Sequence, residues 1–533
     1  MTLFTKSGQS HQHLRSVSAS NENGLIHRLR RRADGWIQRD TVPVPPVHRS
    51  WVARAALIAG VATYLWVYIS WTLANYDNFV AIGGGGYDFS IHDQGLWLLS
   101  RLHSPFLTIS GTQYFADHLS FIMLLVVPLY WLFSTGKVLL VLQALALGLA
   151  AFPAFLVARH RLRSEVLAAA IAVAYLVSPY IGYTNLESFH PDVFAVPLVF
   201  LAFWFVLRRS WVPFFVSIVL MLLVKEDVPL LVMGLGIWVG IRYHRRFGLL
   251  TVVLGAVWLF VSYRFLLPFF NGAGGLATYV ARHGERIPFG GIGGFVKTLV
   301  TRPWRVIEQA FGPHRPWYYL QVFGPVAFLS FLSPLALVLL SGPLLANGLS
   351  TFPYQYQIEY HYGTLIVPAV FVSAIFGIAH FRRPRVRQTL VAVLIACSLL
   401  SAWLWGPLPH TRHPVAWDHS RTAYSRAMDA AMKLIPADAV VSADSTSAMH
   451  LDHRVEVYEF PNPWYQRNWG AGDATGQSLP DRAARVEYIL VPQNFRWVSQ
   501  PVFQNLVADG EFRVIFEQQD VMLLQRQKTA PAS

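Results

Sequence analysis

Long apolar blocks alternate with shorter polar segments along most of the chain. The blocks lie at 51–74, 118–134, 137–157, 165–183, 193–207, 211–224, 228–242, 248–270, 318–332, 335–347, 363–381 and 388–406. An α-helix needs roughly 20 apolar residues to cross the hydrocarbon core of a bilayer. Because backbone groups in lipid must be satisfied within the segment itself, these blocks are predicted to be helices. The pattern therefore predicts an all-α polytopic membrane protein.

The polar segments divide the chain into three parts. Residues 1–50 are Ser-, Gln- and Arg-rich and predict a largely disordered, basic cytoplasmic tail. Residues 51–406 form the predicted transmembrane domain, with long polar loops at 75–117 and 271–317. Residues 407–533 are soluble in character and predict a small α/β domain. Its pattern indicates helices at 421–435 and 502–508, strands at 439–442, 455–460 and 486–491, and a hairpin at 512–524.

The basic residues indicate how the chain is oriented. They occur mainly in short runs between apolar blocks, as cytoplasmic loops do: Arg28–Arg32, Arg159–Arg163, Arg208–Arg209, Arg242–Arg246 and Arg382–Arg387. We therefore expect a multi-pass plasma-membrane protein with a cytoplasmic N-terminus and an external C-terminal domain. This orientation needs an odd number of crossings, whereas the pattern shows twelve blocks. The short block 118–134 is predicted to be re-entrant or surface-lying, which leaves about 11 crossings.

Composition agrees with a membrane protein and argues against nucleic acid as a partner. The 533 residues are 54% hydrophobic and only 14% charged, whereas about 25% charged residues is usual for a soluble protein. The net charge of +14 comes mainly from the loop arginines, so it indicates topology rather than nucleic-acid binding. The single cysteine, Cys397, excludes an intrachain disulfide.

Acidic and histidine residues gather in segments that this orientation places outside. Ionisable groups at the membrane boundary are costly and mark functional sites, and four clusters on one face predict a single external cavity. The candidate catalytic residues are Asp93 and Asp88, and the candidate substrate-binding residues are His118, Glu187, His190, Asp192, Lys225, Glu226, Asp227, His361 and Tyr362.

Such a set fits the transfer of a sugar. A carboxylate can take the proton from an acceptor hydroxyl as it attacks an anomeric carbon, and a phosphate leaving group needs positive charge. Lys225 and the external Arg302 and Arg305 could supply that charge. Asp88 and Asp93 could also hold a divalent cation such as Mg²⁺, Mn²⁺ or Ca²⁺, although the chain shows no dedicated metal-ligand spacing. The run Lys225–Asp227 is equally compatible with an internal ion pair that holds a helix end.

Several short motifs come in the same order as in a known family. They are Tyr87–Trp97, His118, Leu142–Ala146, Phe189–Pro191, Lys225–Asp227 and the pair His361 and Tyr362. Across most of residues 51–525 the chain resembles the predicted membrane proteins called domain of unknown function 2079. That family is grouped with the GT-C glycosyltransferases, which resemble protein O-mannosyltransferases and the lipid A aminoarabinose transferase.

The resemblance implies a GT-C-like fold and a polyprenyl-phosphate-linked sugar donor used on the external face, with a glycan, lipid or protein acceptor in a bacterial cell envelope. In such relatives an Asp-Glu pair follows the first span, and Asp93 with Gln94 stands here in its place. Gln94 removes one carboxylate, and Asp88 could replace it. Asp117 with His118 matches the acid and histidine before the next block, and Asp192 matches a later acid.

Two other classes of function remain open. A transporter or flippase for a lipid-linked or polar substrate also needs polar groups within the membrane. Transporters often show internal repeats and charges at the midplane, whereas this chain shows no clear repeat and its acids lie at block ends. A non-catalytic scaffold that displays its outer domain is the third alternative, and the acid clusters argue against it. The predicted role of the outer domain is docking, with acceptor binding as the alternative.

Overall fold

The computed structural model describes residues 47–80, 86–283, 286–470, 475–493 and 499–527. Almost all of the predicted basic tail therefore lies outside the described residues. The described part is mostly helical and ends in a small sheet. Its α-helices are Trp51–Asp77, Gly86–Ser100, Tyr114–Asp117, Val127–Leu132, Lys137–Leu149, Ala151–Leu162, Glu165–Leu176, Pro179–Leu186, Ala195–Leu207, Trp211–Leu222, Val228–Arg242, Arg245–Val261, Leu267–Phe270, Gly275–His283, Gly291–Thr301, Pro303–Ala310, Arg315–Phe323, Leu335–Leu349, Ile366–Ala379, Pro384–Trp405, Ala423–Met432, Ser445–Ala448, Pro480–Ala483 and Ser499–Ala508.

Several of these helices can cross a membrane by length and apolar composition. Among the described residues there are 5, or 6 if the bent pair Glu165–Leu176 and Pro179–Leu186 forms one span. Four more apolar helices of 10–17 residues lie between them. The predicted number of crossings, about 11, stays a prediction.

The basic runs within the described residues gather at one end of the helical bundle, here called the basic end. Glu165 pairs there with Arg54 at 2.9 Å and with Arg159 at 2.8 Å. Arg387 donates a hydrogen bond to the carbonyl of Leu162, and the guanidinium of Arg161 lies 4.5 Å from the ring centre of Phe376. The acidic clusters and the C-terminal domain lie at the opposite end, here called the acidic end.

The segment 121–132 stays at the acidic end and does not reach the basic end. This agrees with the re-entrant or surface-lying segment that the parity of the crossings predicts. It consists of the 3₁₀ turn Phe121–Leu125 and the helix Val127–Leu132. The Ile122 amide donates to the carbonyl of Leu223, and Trp131 donates to the carbonyl of Ser100, so both halves stay beside residues of the acidic end.

The segment 315–332 connects the two ends although its helix is broken. Arg315 donates to the carbonyls of Gly348 and Ser350 at the acidic end. The segment then passes through the 3₁₀ turns Gly324–Val326 and Leu329–Leu332 to Pro334, which lines a groove with Arg161 at the basic end. Irregular backbone is tolerated at membrane depth where protein surrounds it, and the hydroxyl of Ser398 satisfies the carbonyl of Pro325 at 2.6 Å.

The predicted polar loops contain helices that the hydropathy pattern did not show. The loop 75–117 includes the helix Gly86–Ser100 and a short hairpin of β1 (Phe106–Leu107) and β2 (Thr112–Gln113). The loop 271–317 includes three short helices from Gly275 to Ala310.

The C-terminal domain is a five-stranded mixed sheet with helices. Its strands are β3 (Val441–Ala443), β4 (Val457–Glu459), β5 (Tyr488–Pro492), β6 (Phe512–Gln518) and β7 (Val521–Arg526), in the order β4-β3-β5-β7-β6. Strand β3 is parallel to β4 and β5, and the other pairs are antiparallel. The elements coincide with those predicted from the sequence to within a few residues.

The domain packs on the first polar loop. The Thr108 hydroxyl donates to the carbonyl of Val457 at 2.7 Å and accepts from its amide at 2.9 Å. The indole of Trp469 donates to the Thr108 carbonyl at 2.8 Å, and the Gly470 amide donates to Ser110. Gln94 donates to the same Thr108 hydroxyl at 2.9 Å, which gives this residue a structural role.

Candidate functional site

A cavity of about 420 Å³ lies at the acidic end between the helical bundle and the C-terminal domain. Six separate segments of the chain contribute to its wall. The lining residues are Tyr87, Asp88, Ile91, His92, Asp117, His118, His190, Ala281, His283, Arg286, His361, Tyr362, Asn468, Trp469, Gly470 and Thr475. Five histidines, two acids and one arginine thus face a common space, and three of the four predicted clusters contribute to it, since no residue of Lys225–Asp227 is among them.

The structure separates the two predicted catalytic acids. Asp88 lines the cavity together with Ile91 and His92, at helical spacings of three and four. Asp93 lies five residues after Asp88, which places it about 140° away around the helix. Its carboxylate accepts hydrogen bonds from the hydroxyl of Tyr130 at 2.7 Å and from His453 at 3.1 Å. Asp93 is not among the residues that line the cavity, and joint binding of one metal ion by Asp88 and Asp93 does not fit this arrangement.

The surroundings of Asp88 raise the pKa of its carboxyl group above the usual value for aspartate. Burial and the neighbouring charge of Asp117 raise the pKa of Asp88 to about 6, against the opposing charges of His118, Arg286 and Lys225. A carboxyl group with a pKa near the working pH suits general base catalysis.

Glu226 contacts residues of two other segments at the acidic end through hydrogen bonds. It lies 2.8 Å from Nδ1 of His118 and accepts from the Leu119 amide at 3.0 Å and the Tyr279 hydroxyl at 2.9 Å. Burial alone would raise the pKa of Glu226, but the charge and the hydrogen bond of His118 outweigh it and lower the pKa to about 2. Nearby, His283 lies 3.1 Å from Asp117. Glu226 therefore fixes His118 in the cavity wall rather than lining the cavity itself.

Lys225 and Asp192 form a buried ion pair behind the cavity. The distance between Nζ of Lys225 and Oδ1 of Asp192 is 3.6 Å, and both residues are buried. Asp227 is exposed and begins the helix Val228–Arg242. None of these three side chains is among the lining residues. The geometry thus matches the internal ion pair that the sequence left open.

Glu187, His190 and His361 form a compact buried group. His361 Nδ1 lies 3.3 Å and His190 Nε2 lies 3.7 Å from the same oxygen of Glu187, and the two imidazole rings stack with centres 3.4 Å apart. The group stands beside the cavity, because both histidines also line it.

Sequence reasoning missed several contributors to the cavity, among them His283, Arg286, His92 and Trp469. Arg286, which lies 4.5 Å from the ring centre of Phe352 and 5.8 Å from that of Tyr362, is the only arginine among the lining residues. The predicted Arg302 and Arg305 are exposed elsewhere. His92 belongs to the Tyr87–Trp97 motif, and its helical spacing from Asp88 was an available signal. No local pattern marks Trp469, since its place depends on how the C-terminal domain packs.

The fold is shared with solved structures of a glycosyltransferase. The chain superimposes on a crystal structure of ArnT from Cupriavidus metallidurans bound to undecaprenyl phosphate with a TM-score of 0.51 and 12% identity, over 87% of this chain and 97% of ArnT. The apo structure of the same protein gives a TM-score of 0.50 at 11% identity, over 89% and 98% of the two chains. At this low identity the likeness shows that the chain shares the fold of ArnT.

A family model identifies the chain more narrowly. The model of the predicted membrane proteins called DUF2079 matches residues 81–523, and the chain belongs to that family. A comparison with curated proteins found no significant match in sequence.

Proposed function

We propose that this protein transfers a sugar from a polyprenyl-phosphate donor to an acceptor outside the cytoplasm. The observation that carries the proposal is the polar cavity, which combines carboxylates, histidines and an arginine in a GT-C fold. The ArnT structure with the same fold was crystallised with undecaprenyl phosphate. A lipid-linked donor also fits the position of the cavity at one end of an apolar bundle.

Asp88 is the proposed general base. It lines the cavity, and its pKa of about 6 leaves it mainly ionised at neutral pH and able to accept a proton. Asp93 has the same functional group, but its hydrogen bonds from Tyr130 and His453 hold it on another side of the helix. The geometry therefore favours Asp88 over Asp93, the acid that the resemblance sets in the place of the Asp-Glu pair.

Arg286 is the proposed partner of the donor phosphate. Its guanidinium reaches the cavity and can form paired hydrogen bonds to phosphate oxygens. The aromatic rings of Phe352 and Tyr362, whose centres lie 4.5 Å and 5.8 Å from the guanidinium, help to position it. Lys225 is a weaker candidate because its ammonium group already pairs with Asp192.

The experiment is a transfer assay with full-length protein in proteoliposomes, using radiolabelled polyprenyl-phosphate sugars and a membrane extract as acceptor. Asp88→Asn should lower the transfer rate about 10²–10⁴-fold, the usual effect of losing a positioned base. Asp93→Asn is the matched variant, because it makes the same change on the same helix, and it should retain most of the rate. Full activity in Asp88→Asn together with loss in Asp93→Asn would return the catalytic role to Asp93.

The same assay tests the transport alternative. A flippase would move the lipid-linked substrate across the proteoliposome membrane without cleaving the bond between sugar and phosphate. Movement of intact donor without any release of polyprenyl phosphate would contradict the transferase proposal.

A further inference from the structure

We propose that Glu187, His190 and His361 bind a divalent first-row transition metal ion, such as Zn²⁺, in the wall of the cavity. One ligand atom from each residue lies within 4.8 Å of the other two. The distances from the Glu187 oxygen are 3.3 Å to His361 and 3.7 Å to His190. A tetrahedral ion with bonds of about 2.0–2.2 Å holds its ligand atoms about 3.4 Å apart. The side chains are therefore spaced as the ligands of such an ion would be.

Burial supports a cation at this place. Glu187 is 2% exposed and His190 is 7% exposed. In the described part of the chain, Nε2 of His190 has no hydrogen-bond partner, and neither has Oε2 of Glu187, the oxygen other than the Oε1 that faces both histidines. Buried polar groups without a partner are costly, and buried charges are normally paired or bound to a metal. An ion held between Oε1 of Glu187 and the two histidines would provide a partner for Nε2 of His190 and compensate the buried carboxylate charge.

The two histidines are suited to be ligands rather than charge partners of Glu187. Their rings stack with centres 3.4 Å apart. Two imidazolium ions at this distance would repel each other strongly in a buried setting. Neutral rings avoid the repulsion, and a neutral imidazole offers the lone pair that a metal ion needs.

Other residues hold the backbone of this group in place. The amide nitrogen of Gln143 donates to the carbonyls of Thr184, Asn185 and Glu187, and its oxygen accepts from the His190 amide at 3.1 Å. Partners that fix ligand orientation in this way are a common feature of metal sites.

His361 is anchored independently of Gln143. The amide and the hydroxyl of Thr364 both donate to the His361 carbonyl, and the Tyr180 hydroxyl donates to the carbonyl of Tyr360. The site is thus built from two loops that are each fixed by a neighbouring helix.

The ligand set indicates the kind of ion. Two imidazoles and one carboxylate favour Zn²⁺ or a similar transition ion, whereas Mg²⁺ and Ca²⁺ prefer oxygen ligands. Three protein ligands leave a position open, as in catalytic zinc sites. Since His190 and His361 line the cavity, that position can take a water molecule or an anionic oxygen. This last role rests on the proposed function, whereas metal binding itself does not.

The test measures metal content rather than transfer. Full-length protein in detergent is stripped with a chelator, loaded with Zn²⁺, washed and analysed by mass spectrometry of the metal. The wild type should retain zinc, and Glu187→Gln and His361→Asn should each lose one equivalent. Asp117→Asn is the matched control, because Asp117, His118 and His283 form the other group of one acid and two histidines with suitable spacing.

Three results would overturn the proposal. The first is a wild type that keeps no zinc after washing. The second is loss of the same equivalent in Asp117→Asn with full retention in Glu187→Gln, which would assign the ion to the other group. If the Glu187 and His361 variants do not fold, X-ray diffraction from wild-type crystals at the zinc edge must locate the ion beside His361. The third result that would overturn the proposal is an ion found elsewhere in those crystals. A failed transfer assay would leave all of these results unaffected.

Discussion

Asp88 and Asp93 carry the same carboxyl group on one helix but lie in different surroundings. Asp88 faces the cavity near Asp117, whereas Asp93 is held by Tyr130 and His453. The sequence could identify this helix as functional because several ionisable residues occur together in it. It could not rank the two acids, because the ranking depends on which side of the helix the C-terminal domain covers.

The pH dependence of transfer follows from Asp88. As a base, Asp88 must be ionised, and its raised pKa of about 6 means that protonation begins well above the usual range for aspartate. The rate should therefore fall about tenfold per pH unit below pH 6 and be level near neutral pH. The check is a rate profile at saturating donor. A rate that stays constant down to about pH 4.5, near the ordinary range of a carboxyl group, would contradict this role.

The buried carboxyl group of Asp452 should make the folded protein less stable as the pH rises. Burial and the neighbouring Asp93 raise the pKa of Asp452 well above its usual range. Between the unfolded and folded pKa values, the folded state binds the proton and the unfolded state does not, so stability decreases with rising pH. Asp452→Asn removes this dependence and should leave the protein equally or more stable at neutral pH. Melting temperatures of both proteins in detergent at pH 5 and pH 8 test this.

The opposite pH dependence in the Asp452 variant would contradict this prediction. If Asp452→Asn lowers the melting temperature more at pH 8 than at pH 5, the ionised carboxylate is stabilising in the folded state. Asp481→Asn is a suitable control, because Asp481 is an exposed residue of the same domain.

At the scale of elements, the glycines of one helical hairpin allow two helices to touch. The helices Val228–Arg242 and Arg245–Val261 approach so closely that a Cβ on Gly248 would lie 2.2 Å from the Cα of Gly240. Backbone on both sides leaves no flexible side chain to give way. Small residues at such contacts are typical of packing between membrane helices.

Gly248→Ala should therefore destabilise the protein, by about 1–3 kcal/mol as for other overpacked sites. Gly293→Ala is the matched control, because a Cβ there would meet no atom within 4 Å. Thermal unfolding in detergent measures both. Equal melting temperatures for the two variants would show that the hairpin can separate without cost.

The apolar blocks predicted helices well because length and hydropathy suffice to identify them. The helix Gly86–Ser100 escaped this signal, since it is polar where it faces the cavity and also where it faces the C-terminal domain. Asp88 and His92 lie toward the former, while Asp93 and Gln94 contact His453 and Arg454 of the latter. A helix buried between two polar surfaces lacks the long apolar block by which hydropathy identifies the other helices. The helices Gly291–Thr301 and Pro303–Ala310 escaped it for another reason, because they are too short to form a long apolar block.

At the scale of the whole molecule, the basic and acidic ends lie apart, and the orientation predicted from the arginines stays a prediction. Reporter fusions after Arg209, Arg246 and Arg387 should report the cytoplasm, and a fusion after Trp405 should report the outside. The physical reason is that cytoplasmic loops retain positive charge. A cytoplasmic signal after Trp405 would place the cavity in the wrong compartment for an external acceptor.

The C-terminal domain completes the cavity rather than only covering it. The sequence predicted its strands and its docking on the outer face. Its contribution of Asn468, Trp469 and Gly470 to the cavity wall could not be predicted. That contribution arises from contacts with β1, β2 and their turn that are distant in sequence, such as those of Trp469 with Thr108 and of Gly470 with Ser110. Acceptor binding by this domain remains a prediction.

The central claim is that the cavity at the acidic end holds the phosphate of a polyprenyl-linked donor. Its most direct test is a structure of the full-length protein with undecaprenyl phosphate, determined by electron cryomicroscopy. The account predicts phosphate density in the cavity, with oxygens about 3 Å from the guanidinium of Arg286 and the lipid chain leaving along the bundle. Lipid phosphate bound instead at the basic end, in the groove lined by Arg161, Trp238 and Arg242, with no density beside Arg286, would contradict it.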